Sequence, residues 1–143
     1  MLNNQNTKYI GIDYGKKRTG ISISDYNKII SFPLDTIETD KLIIYLKELI
    51  PNEKIERVII GKPLKLNNQV HKLEDDIVLF IKSLTSIFPD IIIDRIDERY
   101  TSKISNLIVR QSGINQKSRM NKSIIDKISA SLILESYLIK TNK

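Results

Sequence analysis

The stretch YIGIDYGKKRTGISISD, Tyr9 to Asp25, restricts the fold of this chain more than any other segment. Tyr9 to Tyr14 is mostly apolar, Gly15-Lys16 supplies a turn, and Thr19 to Ser24 alternates Gly20, Ser22 and Ser24 against Thr19, Ile21 and Ile23. A mostly apolar segment and an alternating one on either side of a glycine turn predict a β-hairpin. One residue conflicts with a buried first strand. Asp13 is a carboxylate on it, and such a charge is costly unless it is paired, hydrogen-bonded or bound to a metal. Three cations, Lys16, Lys17 and Arg18, follow in the turn.

The rest of the chain supplies the partners for that hairpin. KIISFPLDTI is β-like, and Pro33, which has no N–H to give a ladder, places it at a sheet edge. Leu42, Tyr45, Leu46 and Leu49 form one stripe of a helix over Asp40 to Ile50, stopped by Pro51. Val58 to Ile60 is a short buried strand ended by Gly61 and Pro63. Val70, Leu73, Ile77, Phe80, Leu84 and Ile87 recur at helical spacing and predict a long amphipathic helix. Ile91 to Ile96 is another strand, and Thr101 can cap a helix through about Gln111. QSGINQKSRMN, 111–121, is polar and glycine-containing and predicts a loop, followed by a helix from Lys122 to Ile139. Three strands followed by alternating helices and strands predict an α/β fold with a mixed sheet of about five strands. The first would be antiparallel, the rest parallel through right-handed crossovers.

The 143 residues suit one domain, 1–143, with 1–7 as a flexible tail. No apolar run approaches the ~20 residues of a membrane span, and MLNNQNTK lacks the pattern of a signal peptide. The absence of cysteine excludes disulfides, thiolate zinc sites and thiol catalysis, and agrees with a cytoplasmic protein. The formal charge of +6, from 23 Lys and Arg against 17 Asp and Glu, fits a polyanionic partner. Most of the excess is lysine, so charge alone fits a protein without a nucleic-acid partner equally well.

Three acids stand out. Asp13 shares strand parity with Tyr9 and Gly11, and Gly11 leaves that side uncrowded. Glu98 closes the strand in DERYTS. Asp126 precedes Ala130 by four residues, Ile133 by seven and Tyr137 by eleven, on the packing stripe of the last helix. Small residues at Ser129 and Ala130 would let that helix sit close to the sheet. Ligands of open α/β sheets bind beyond the carboxyl ends of the parallel strands. Carboxylates gathered there repel unless a cation sits among them, and hard divalent ions take such oxygen ligands. Two ions ~4 Å apart can activate a water and stabilise the leaving oxygen of a phosphodiester. Spacing alone leaves simpler roles open: a strand-end cap for Asp13, pairing of Glu98 with Arg95 or Arg99, and of Asp126 with Lys122.

YIGIDYGKKRTGISISD, VIIGKPL, IDERYTS and IIDKISASLILESYL, in this order and over nearly the whole chain, resemble the YqgF/RuvX family. Its members are RNase H-like domains described as Holliday junction resolvases and as nucleases maturing the 5′ end of pre-16S rRNA. The resemblance implies an α/β, RNase H-like fold whose five-stranded mixed sheet has three antiparallel strands then two parallel ones, flanked by helices. It also implies that Asp13, Glu98 and Asp126 form a catalytic triad holding Mg²⁺ or Mn²⁺, and 3′-hydroxyl and 5′-phosphate products. Two positions depart from the family pattern. Asn67-Asn68-Gln69 replace a glycine- and serine-containing loop, and DKISA stands where DKIAA is usual.

Lys16 and Arg18 in the turn, Arg99 beside Glu98, and Lys117 and Arg119 in the polar loop are the expected nucleic-acid contacts. Lys17 and Lys122 are weaker candidates of the same kind. His71 has no ligand at metal spacing and fits a surface position. Tyr14 and Tyr100 fit packing better than base stacking. The expected partner is nucleic acid, pre-rRNA or branched DNA, with no membrane, and the chain acting as a monomer or homodimer. Two other classes compete with a metal-dependent nuclease. GIDYG before a hairpin also resembles the phosphate-binding strands of actin-like ATPases and sugar kinases, but those need two lobes. A non-catalytic RNA-binding module is the other, and the presence of all three acids speaks against it.

Overall fold

The structure, a computed structural model, describes residues 6–63, 68–97 and 119–142. Its elements are strands β1 (Lys8–Asp13), β2 (Arg18–Ser24) and β3 (Ser31–Glu38), a 3-10 turn at Thr39–Lys41, helix α1 (Leu42–Asn52), β4 (Ile55–Lys62), helix α2 (Asn68–Ile87), β5 (Ile92–Asp97) and helix α3 (Arg119–Thr141). The five strands form one sheet in the order β3-β2-β1-β4-β5. β1–β2 and β2–β3 are antiparallel, and β1–β4 and β4–β5 are parallel. The expected mixed sheet is therefore present, and β3, carrying Pro33, is its edge.

Parity along the strands sorts residues between two layers of helix. Ile10, Ile12, Ile21, Ile23, Val58 and Ile60 point to one face and form the main core with Leu42, Leu46 and Ile50 of α1 and Ile77, Phe80 and Leu84 of α2. Ile59 points the other way, onto Ile133, Leu134 and Leu138 of α3, with Tyr9, Ile96 and Tyr137 against them. Tyr14 belongs to the first face, where its ring lies 5.4 Å from that of Phe80. Burial, with the charge of Asp76 second, raises its hydroxyl pKa, as the packing expectation requires.

Several boundaries differ from the sequence reading. α1 begins at Leu42 after the 3-10 turn, and Pro51 lies inside its last turn and does not stop it. Pro51 costs that turn one amide hydrogen bond but leaves those after it; Glu53 N–H donates to the Leu49 carbonyl at 2.9 Å, and Lys54, at φ 53°, turns the chain away. β4 is longer than the apolar triplet at its centre because its ends pair with β1 and β5. α3 begins three residues before Lys122, so Arg119 to Asn121 are helical and not loop. Arginine and methionine are good helix formers, and polarity suits the start of a helix as readily as a loop. The helix expected from Thr101 and the rest of the 111–121 loop lie outside the described residues.

Candidate active site

α3 lies against the sheet with unusually little side chain between. Ser22 Oγ donates to the Ala130 carbonyl at 2.7 Å, Ser31 Oγ to the Ser131 carbonyl at 2.9 Å, and Thr36 Oγ1 to the Ser123 carbonyl at 2.5 Å. These hydroxyls satisfy second lone pairs of helix carbonyls, so the helix backbone itself docks on the strands. Two glycines make this possible. A Cβ on Gly11 would stand 2.7 Å from the Ala130 carbonyl oxygen, and one on Gly20 only 1.9 Å from that of Asp126. The close approach expected from Ser129 and Ala130 is present, with both residues buried.

The docking fixes where the acids lie. Asp13 is opposite Gly20 in the β1–β2 ladder, and residues opposite one another in an antiparallel pair share a face. Gly20 faces the Asp126 backbone of α3, so Asp13 and the Asp126 backbone come to one corner, on the α3 side and at the carboxyl end of β1. The parallel register puts the ends of β4 and β5, Lys62 and Asp97, along the same border of the sheet. Glu98, Arg99 and Lys117 lie outside the described residues, as does the Arg119 side chain. Among the described residues, no three acids or histidines gather closely enough to hold a metal ion. Asp13 and Asp126 still offer the hard oxygen donors that a divalent cation takes, at a corner where the α3 backbone docks directly on Gly20.

Asp126 has a protein counter-ion that spacing did not reveal. Arg18 Nε donates to its Oδ2 at 2.9 Å, across 108 residues of sequence. The local alternative, Lys122, lines the same hollow without making this contact. Lys16, Lys17, Arg18, Glu38, Asp40 and Lys122 together line that hollow. The hairpin carrying the first three is anchored, although all three are exposed. Thr39 Oγ1 donates to the Gly15 carbonyl at 2.7 Å, Thr39 N–H donates to the Lys17 carbonyl at 2.9 Å, and the Thr19 and Thr39 hydroxyls are 2.9 Å apart. Gly15 is required because a Cβ would meet the Arg18 carbonyl at 2.2 Å.

Two further polar groups brace the frame. Arg95 forks onto Glu74 of α2, at 2.6 and 2.9 Å, and its NH2 group also donates to the Gly61 carbonyl at 3.1 Å. It ties α2 to the end of β4, and its hydrogen bonds hold the Glu74 carboxyl below its ordinary pKa. At the other end of α3, Asp94 of β5 accepts from both Tyr137 and Arg57. Burial alone would raise the Asp94 pKa, but these two donors hold it low. Sequence reading missed both groups, because each pairs residues from different elements with no spacing signature.

Residues 7–140 match the family described as RuvX, Holliday junction resolvase. Relatives named "Putative pre-16S rRNA nuclease" include one from Flavobacterium johnsoniae, 43% identical over 92% of this chain and 95% of its own. Another, from Bacteroides fragilis, is 39% identical over 92% and 96%. Among solved structures, RuvC of T. thermophilus in complex with a Holliday junction substrate aligns with a TM-score of 0.59 at 12% identity, over 94% of this chain and 96% of that one. The fowlpox virus resolvase in complex with Holliday junction DNA aligns at 0.53 and 16% identity, over 95% and 99%. At such identities these structures show a shared RNase H-like fold. With the family description spanning nearly every described element, and relatives near 40% identity over most of their length, the chain belongs to the RuvX family.

Proposed function

We propose that this protein is a metal-dependent nuclease that hydrolyses phosphodiester bonds, acting in 5′-end processing of pre-16S rRNA. The observation that carries this reading is the corner where Asp13 and Asp126 meet beside an anchored basic hairpin. Asp13, Asp126 and Glu98 would hold Mg²⁺ or Mn²⁺. Glu98, which lies outside the described residues, enters on the IDERYTS motif of the sequence. A cation bound there would neutralise the phosphodiester and lower the pKa of an attacking water. The chain's own contribution is placement. The β1–β2 pairing and the Gly20 contact bring the backbones of Asp13 and Asp126 to one corner, while Lys16, Arg18 and Lys122, with Arg99, Lys117 and Arg119, would bind flanking phosphates.

The RNA substrate is favoured by the names of the relatives. A second reading, resolution of four-way DNA junctions, is favoured by the family description and by the junctions bound in the RuvC and fowlpox complexes. Nothing in the described residues suggests a membrane role: none of their helices is long and apolar enough to cross a bilayer. A cleavage assay with Mn²⁺ on a labelled pre-16S 5′ leader beside a labelled four-way junction separates the two readings. Cleavage of neither, with the leader's native site present, would overturn the nuclease assignment.

A further inference from the structure

We propose that Arg18 is an exchangeable counter-ion: it neutralises Asp126 while the acid corner lacks a cation, and is released to a substrate phosphate when a divalent ion binds. The inference rests on the nuclease reading and adds to it a coupling between cation and nucleic acid. Arg18 Nε is 2.9 Å from Asp126 Oδ2, so the guanidinium engages the carboxylate that the cation would take. The pair is strong enough to form and weak enough to exchange. The two side chains remain 43% and 23% exposed, and exposed ion pairs contribute little net stability. The released side chain has somewhere to go, because Arg18 also lines the hollow with Lys16, Lys17 and Lys122. Only part of its fork is used by Asp126; among the described residues, no bond is recorded from its two terminal nitrogens. Those nitrogens suit bidentate grip of a phosphate.

The backbone makes exchange a matter of side chain alone. Gly15, Lys17 and Thr39 hold the turn, and Gly20 holds α3 at Asp126, so neither carboxylate nor hairpin need shift. Linkage then requires that cation and nucleic acid each strengthen binding of the other, by a factor set by the ion pair that is broken.

The test is Mn²⁺ binding by titration calorimetry to the nucleic-acid-free protein, for wild type, Arg18→Gln and Lys16→Gln. The lysine variant removes the same charge from the same hairpin without touching Asp126. Arg18→Gln should bind Mn²⁺ about threefold more tightly than wild type, the scale of an exposed ion pair, and more tightly than Lys16→Gln. A second arm measures binding of a labelled four-way junction with Ca²⁺ or with chelator. Wild type should gain affinity with Ca²⁺, and Arg18→Gln should lose most of that gain. If wild type binds Mn²⁺ and Arg18→Gln binds it equally or more weakly, Arg18 orients Asp126 and does not compete for it, and the proposal fails alone. If wild type binds no Mn²⁺ at millimolar concentration, the metal-dependent reading fails with it.

Discussion

The two faces of the central strands carry different duties. Toward α1 and α2, β1 and β2 present Ile10, Ile12, Ile21 and Ile23, all buried among branched and aromatic side chains. Toward α3 the alternate positions are Gly11, Asp13, Gly20 and Ser22, and helix carbonyls replace aliphatic neighbours. One face derives its stability from apolar area removed from water. The other gives up apolar area so that a helix backbone can approach and hold a carboxylate beside a strand end. Residues one apart in sequence therefore face unrelated surroundings, Ile12 the core and Asp13 the proposed site.

The sharpest separation comes from substituting the site face without changing volume. Asp13→Asn should reduce Mn²⁺-dependent cleavage by about a thousandfold or more, since several kcal/mol of charge stabilisation are lost. Its melting temperature should stay within about 3 °C of wild type, a shift worth less than 1 kcal/mol. Near-wild-type cleavage by a preparation free of contaminating nuclease would remove Asp13 from the site. The reciprocal change lies on the other face. Leu46→Ala, at a fully buried position of α1, should cost about 2–5 kcal/mol in urea unfolding and leave the cleavage rate per folded molecule unaltered. A comparable fall in that rate would show that the two faces are not separable.

Gly20→Ala tests where they are joined. Its Cβ would fall 1.9 Å from the Asp126 carbonyl oxygen, so α3 has to move. Overpacking of this kind costs about 1–3 kcal/mol, and the displacement carries Asp126 away from Asp13. Cleavage should fall further than the loss of folded protein explains, measured by comparing rate with the folded fraction at the same temperature. Unchanged kinetics would mean that the corner tolerates a shifted helix.

How much of this was legible beforehand depends on the range of the interaction. The hairpin, the parity of Asp13 and the inward stripe of α3 are periodic and local, and they agree with the structure. The edge position of β3 followed from one missing amide at Pro33. The Arg18–Asp126 pair joins residues 108 apart in sequence, and nothing in either segment names the other. Gly20 looked like one small residue in an alternating strand. Its need arises only once Asp126 of α3 is laid against it. Arg95 could equally have served Glu98, the nearer acid, and tertiary placement of α2 gave it Glu74. Polarity at 119–121 is compatible with a loop and with a helix start alike, and composition does not separate the two.

The smallest effect concerns a polar island in the apolar half of the α3 face. Tyr137 donates to Asp94 and lies 3.1 Å from Arg57 Nη1, while Arg57 Nε is buried without a partner among the described residues. Burial first, and the hydrogen bond to Asp94 second, push the Tyr137 hydroxyl from 10.0 up to about 12. A pKa raised on folding contributes stability that is fully present below pH 10 and lost as pH rises through about 12. Tyr137→Phe should therefore cost about 1.5 kcal/mol at neutral pH, the lower end for a hydrogen bond to a charged group. It should also remove the part of the wild type's alkaline loss between pH 10 and 12 that this hydroxyl causes. Urea midpoints across that range check both statements. An alkaline limb identical in the variant would show that the hydroxyl packs beside Asp94 without contributing to stability, and would reduce this half of α3 to its apolar contacts alone.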